Sequence, residues 1–268
     1  MSKTAPNALP ASAVSALIVT GALLLTACQS PPARTESPAT SAQQEADYAT
    51  FAVQFRSIVA LHMLAANRRG AVGEKNLRVE LNRDNEIVSC RAETVSPSVA
   101  HAMPVVTNHR GGVELARLIN QECRKIIFPL VPKHLFDDKG IADVIAPLKF
   151  LPLPPAAAEQ RRSLLLLQAQ RDFFWHQVLV DQPVDSVGRA SFSVQADAMG
   201  KVSGCVVNLA PVTVRQDAFK PDNALQTRLI SRCLALDLRQ MPGFALNDKG
   251  QANARITVQY APWKTGLR

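Results

Sequence analysis

The chain has 268 residues, five cysteines and a formal net charge of +8. Its basic residues are spread along the sequence with no cluster interleaved with aromatics, so nucleic acid is not an expected partner. C-x-x-C spacing is absent, which sets aside the common structural zinc centre and leaves no metal assigned.

Residues 1–27 read as a targeting segment and stand apart from the fold. Lys3 supplies a short positive start, and Ala11 to Leu25 is an apolar run too short to span a bilayer comfortably. The run ends in Leu25-Thr26-Ala27-Cys28, small residues directly before a cysteine. This resembles the lipobox of bacterial lipoproteins, which implies lipidation at Cys28 and attachment to a membrane through that lipid. An ordinary signal peptide with a chance cysteine is the competing reading. In the lipoprotein pattern Gln29, where an Asp would favour inner-membrane retention, implies the periplasmic face of the outer membrane. Residues 28–45 are rich in Pro, Ser, Thr, Ala and Gln and read as a flexible tether. Loss of Lys3 alone takes the balance to 29 − 22 = +7. Such a charge suits an anionic envelope component, or simply a solvated, Arg-rich surface.

From Ala46 the pattern turns helical, with Phe51, Phe55, Ile58, Val59 and His62 on one face. Leu77 to Leu81 alternates as a half-buried strand, Asp84-Asn85 suits a two-residue hairpin turn, and a second strand runs through Cys90 to about Val95. A loop from Ser96 to Gly112 leads to a helix carrying Leu115, Ile119, Cys123 and Ile126, stopped by Phe128-Pro129. Lys139-Gly140 is a turn, and Val144 to Leu151 completes a first domain over residues 46–151. After a Pro- and Ala-rich linker at 152–160 the scheme restarts over 161–262, with a tail at 263–268. Leu164, Leu167, Phe174 and Val178 outline its first helix, and Ala190 to Ala196 with Val202 to Leu209 form its hairpin. Leu225, Leu229, Cys233 and Leu236 mark its second helix, and Ala254 to Tyr260 is its last strand.

The two halves are therefore copies of one unit. Cys123 and Cys233 are each followed sixteen residues later by a lysine, in Asp138-Lys139-Gly140 and Asp248-Lys249-Gly250. The predicted class is α+β: two tandem α-β-β-α-β units, each a three-stranded antiparallel sheet packed against helices. With Cys28 reserved for lipid, four cysteines remain, two per unit, each joining a hairpin strand to the following helix. An oxidising compartment would let Cys90–Cys123 and Cys205–Cys233 form.

This order of elements is similar to the C-terminal domain of TonB and the related periplasmic domain of TolA. In that family a D-x-G-x-V-type hairpin turn leads to a helix, an F-x-P-like signal, a glycine turn and a last strand. Asp84-Asn85-Glu86-Ile87 and Met199-Gly200-Lys201-Val202 stand at the hairpins, and Phe128-Pro129 and Asp138-Lys139-Gly140 at the later signals. Asn85 departs from the usual Gly, and Met241-Pro242 from Phe-x-Pro. The resemblance covers Ala46 to Pro262 and implies a protein-binding module whose edge strand accepts an extended peptide. It places that edge at Ala254, Ile256, Val258 and Tyr260. The matching strand Val144 to Phe150 contains Pro147, which should weaken augmentation.

No catalytic set stands out. The five histidines are scattered, no G-x-S-x-G elbow or phosphate-cradling loop occurs, and His134 beside Asp137 and Asp138 fits a surface turn. The expectation is a non-enzymatic lipoprotein without cofactor that binds a protein or peptide strand in the periplasm. Its rivals are a cell-envelope enzyme with an unrecognised site and an accessory of TonB-dependent transport.

Overall fold

The computed structural model describes residues 38–95, 111–152 and 154–265. The lipidation candidate Cys28 and most of the loop expected from Ser96 to Gly112 lie outside them. In chain order the first repeat holds α1 (Pro38–Ala66), β1 (Gly73–Asn82), β2 (Ile87–Glu93), α2 (Gly111–Glu122) and β3 (Ile141–Phe150). The second holds α3 (Ala158–Phe174), β4 (Gly188–Ala196), β5 (Val202–Ala210), α4 (Asn223–Leu234) and β6 (Ala252–Tyr260). Each repeat is α-β-β-α-β, and the two three-stranded antiparallel sheets are separate. Their orders are β2-β1-β3 and β5-β4-β6, so the first strand of each hairpin is central. Among the described residues no strand of one repeat pairs with a strand of the other.

Alternation along the central strands decides which face is covered. Leu77, Val79 and Leu81 are fully buried against Phe51, Phe55, Val59 and Met63 of α1 and Leu115 and Ile119 of α2. Phe192 and Val194 play the same part against Phe174 and Val178 and against Leu225 and Leu229 of α4. Cys90 lies opposite Val79 and Cys205 opposite Val194, on the helix-facing side of each sheet. Both pairs are disulfides, Cys90–Cys123 and Cys205–Cys233, each with Cα atoms 6.2 Å apart.

Four turns share one construction. Asn82, Asp137, Asp197 and Asn247 each offer a side-chain oxygen to the backbone N–H groups two and four residues on. Each thereby closes a turn whose fourth residue is left-handed. That fourth residue is glycine at 140, 200 and 250, and Asn85, with φ 60°, in the first hairpin. Asn85 stands in for glycine because its side chain is used: buried Oδ1 accepts from Val131 N at 2.7 Å, tying the hairpin to the segment after α2.

Three expectations change. Helix α1 starts at Pro38, inside the stretch expected to be a tether. Composition there shows too little apolar surface to bury, but Ala and Gln are good helix formers and proline suits a first helical position. Helix α2 ends at Glu122 and tightens into a 3₁₀ turn at Cys123–Lys125, so Phe128-Pro129 lies beyond its end. Phe128 instead stacks on Phe55 at 5.0 Å. Leu164 is exposed, and the core stripe of the second repeat begins at Phe174.

The repeats meet at the end of α1. Arg161 Nη2 donates to the carbonyls of Asn67 and Arg68, at 3.0 and 3.2 Å, where a helix C-terminus leaves acceptors free. Arg68 pairs with Asp172 of α3. A small apolar cluster of Ile127, Val187, Val212 and Ala261 continues the contact.

Candidate partner-binding edge

Each sheet has two outer strands, and unpaired N–H and C=O groups along such strands invite a further strand unless something blunts them. All four edges carry at least one blunting group, but they differ in where it lies. On β2 the Ala92 N–H donates to Asn120 Oδ1 of α2 at 2.7 Å. At the equivalent place on β5, Gln226 Nε2 of α4 donates to the Val207 carbonyl at 2.6 Å. Strand β3 carries Pro147, opposite Asn76, which has no N–H to offer. Strand β6 pairs with β4 from Ala252 to Tyr260 and contains no proline, and its side-chain contact lies at its end, where Lys264 Nζ donates to the Gln259 carbonyl at 2.8 Å.

A groove of about 230 Å³ runs beside β6. Five consecutive residues, Ala252 to Ile256, form one wall, and Met241, Gly243 and Phe244 belong to the other. Consecutive residues of a strand point to opposite faces, so a wall that includes all five presents the strand's edge rather than one face. The far wall is pinned to α3. Gln170 Nε2 donates to the Pro242 carbonyl at 3.1 Å. Gly243 has φ 74°, and a Cβ there would lie 2.8 Å from Leu166 Cδ1.

The expected site residues sit on β6 but face inward. Ile256, Val258 and Tyr260 are buried in the core and Ala254 is half-buried. Tyr260 packs beneath Gly188, where any side chain would collide with the phenol, and burial raises its pKa. A partner strand would therefore meet these four residues through their backbone. The exposed side chains on β6 are Asn253, Arg255 and Gln259, and Thr257 is half-buried with its hydroxyl 3.0 Å from Ser191. Sequence reasoning missed the groove because its far wall depends on how the segment after α4 folds back.

Polar groups in two other places are engaged structurally. A cavity of about 650 Å³ includes Asp185, Lys220, Asp222 and Arg228 in its lining. Lys220 and Asp185 are 3.8 Å apart, Asp222 caps α4 by accepting from Leu225 N, and Arg228 donates to Gln182 and the Pro183 carbonyl. In the first repeat His62 of α1 lies 3.2 Å from Glu122 of α2. Partial burial alone would raise the Glu122 pKa, but hydrogen bonds from His62 and Lys125 outweigh it and hold the carboxyl down to about 2. Near His134, Asp137 Oδ1 is used by its turn, accepting from Lys139 N and Ile141 N.

No protein-family profile, curated protein or solved structure matches the chain.

Proposed function

We propose that this chain is a non-enzymatic, periplasm-facing lipoprotein, anchored at Cys28, that captures an extended peptide strand on the outer edge of β6. The observation that carries the reading is the stretch of β6 from Ala252 to Ile256, which lines a groove with five consecutive residues and lies clear of the Lys264 contact at Gln259, whereas Asn120, Gln226 and Pro147 meet the other three edges. Backbone pairing would supply the affinity, and the side chains of Asn253, Arg255 and Gln259 would flank the incoming strand's exposed face. The duplicated α-β-β-α-β order, with one disulfide per repeat, supports the kinship with TonB C-terminal domains on which the peptide-accepting role rests.

Photocrosslinking tests it. A crosslinking residue at Gln259 should trap a partner in intact cells, and one at exposed Ile145 on β3 should not. Proline introduced singly at Ile256, Thr257 and Val258 removes one N–H at a time. Where that N–H faces outward, capture should weaken about tenfold or more. Undiminished capture in all three folded variants would remove strand addition from consideration.

A further inference from the structure

The two sheets hold their strands in one register, so their open faces can be matched residue by residue. Glu74 lies opposite Lys149, and Arg189 opposite Gln259. Glu80 lies opposite Asp143, and Gln195 opposite Asn253. Asn76 lies opposite Glu93, and Ser191 opposite Asn208. The carboxylates of the first open face, Glu74, Glu80, Glu93 and Asp143, therefore have Arg189, Gln195, Asn208 and Asn253 as counterparts on the second. The first face closes its charges internally, with Arg78 meeting Asp143 and Glu93, and Lys149 meeting Glu74. The second carries Arg189 and Arg255, both exposed, and its register places no carboxylate on it.

Arg255 is the one of the two that a captured strand would reach. It stands on β6 with Ser193 on its inner side, and a strand added outside would set a residue beside it on the same face. On the first sheet Arg78 has what Arg255 lacks, an acidic side chain on a neighbouring strand. The residues before and after that one would point the other way, into the groove, where Met241, Phe244 and Ala245 are apolar. At about 230 Å³ the groove suits small side chains.

Resting on the strand-capture reading, we propose that the occupant of β6 is an acidic strand whose carboxylates alternate with small apolar side chains. The apolar set enters the groove between β6 and residues 241–245. A carboxylate opposite Arg255 supplies the partner that Glu93 and Asp143 give Arg78. Opposite charges across a ladder are favourable and like charges are not, so Arg255 selects an acidic strand against a basic one. Lys264 adds a second cation at the far end of β6, with its Nζ on the Gln259 carbonyl.

Two capped octapeptides, one alternating valine with glutamate and the other valine with lysine, test this on the purified full chain with both disulfides intact. By fluorescence anisotropy at about 0.15 M salt, the glutamate peptide should bind about fivefold tighter or more than the lysine peptide. Arg255→Glu should reverse the order. Arg56→Glu, the same change of net charge at an exposed site on α1, should preserve it. Equal binding of the two peptides, abolished by a proline in β6, would keep strand capture and overturn the acidic assignment. Binding of neither peptide overturns it as well, and the Gln259 crosslink in cells then decides strand capture by itself. A glutamate preference that Arg255→Glu abolishes but every folded proline variant retains would mark a general anion surface and overturn the proposal too.

Discussion

On the open face of the β1–β3 sheet, Arg78 is bracketed by Asp143 and Glu93, Arg91 by Glu80 and Glu93, and Lys149 pairs with Glu74. On the open face of the β4–β6 sheet, Arg189 and Arg255 stand near Ser191, Ser193 and Gln259, with no carboxylate partner among the described residues. Strand order, bulge position and disulfide are the same in both repeats. What differs is the finish. The first sheet neutralises its own charges and carries a proline on its β3 edge; the second keeps arginines without carboxylate partners among the described residues and has no proline on β6. In the proposed reading, scaffold and binding roles would be divided between the two copies, with the second repeat as the one that captures a strand.

The largest expected effect tests the sameness. Loops closed by the disulfides span 33 and 28 residues, so chain entropy assigns each about 3–4 kcal/mol. Replacing Cys90 and Cys123 by serine, or Cys205 and Cys233, should cost equal stability in denaturant titrations. A large inequality would break the equivalence of the scaffolds.

An intermediate effect belongs to the first repeat alone. The residue matching Glu122 is Arg232, which meets Asp181 at the surface. Because the folded pKa of Glu122 is lowered to about 2 from 4.5, its contribution is present above about pH 4.5 and is lost as the pH falls toward 2. Glu122→Gln should cost about 1–2 kcal/mol at neutral pH, an amount reduced for partial exposure, and should flatten the acid limb of the stability profile. An unchanged acid limb would show that the His62–Glu122 pair does not distinguish the repeats.

The smallest effect sharpens the contrast between faces. Arg78→Ala should lower stability slightly in low salt and not at about 1 M salt, since the ladder is solvent-exposed. Arg255→Ala should leave melting unchanged in both and weaken only the photocrosslinked partner. Equal thermal responses to both substitutions would mean that the two faces do not differ in charge closure.

Much of this architecture was legible in the residues. Alternation in Leu77 to Leu81 and Phe192 to Ala196 gave the central strands, and helical spacing carried Cys123 and Cys233 to the buried faces. Local composition failed at Pro38 to Glu45, where helix propensity outweighed the lack of core-forming residues. Asn85 looked like a departure from a glycine pattern and turned out to combine a left-handed backbone with a buried hydrogen bond to Val131. The blunting of β2 by Asn120 and of β5 by Gln226 was not readable, because a polar residue on a helix gives no sign of which neighbouring strand it reaches.

Under the proposed export, the disulfides would also set an order of events. Cys90 is linked to Cys123 and Cys205 to Cys233, so each cysteine bonds to its neighbour in sequence and no bridge crosses another. A chain delivered N-terminus first into an oxidising space, as the proposed export requires, would present Cys90 and Cys123 long before Cys205. Pairing thiols as they emerge then yields the native set, with no wrong bridge to be reshuffled. The one earlier thiol able to intrude is Cys28, and lipidation there would withdraw it, so the anchor would also protect the fidelity of oxidation.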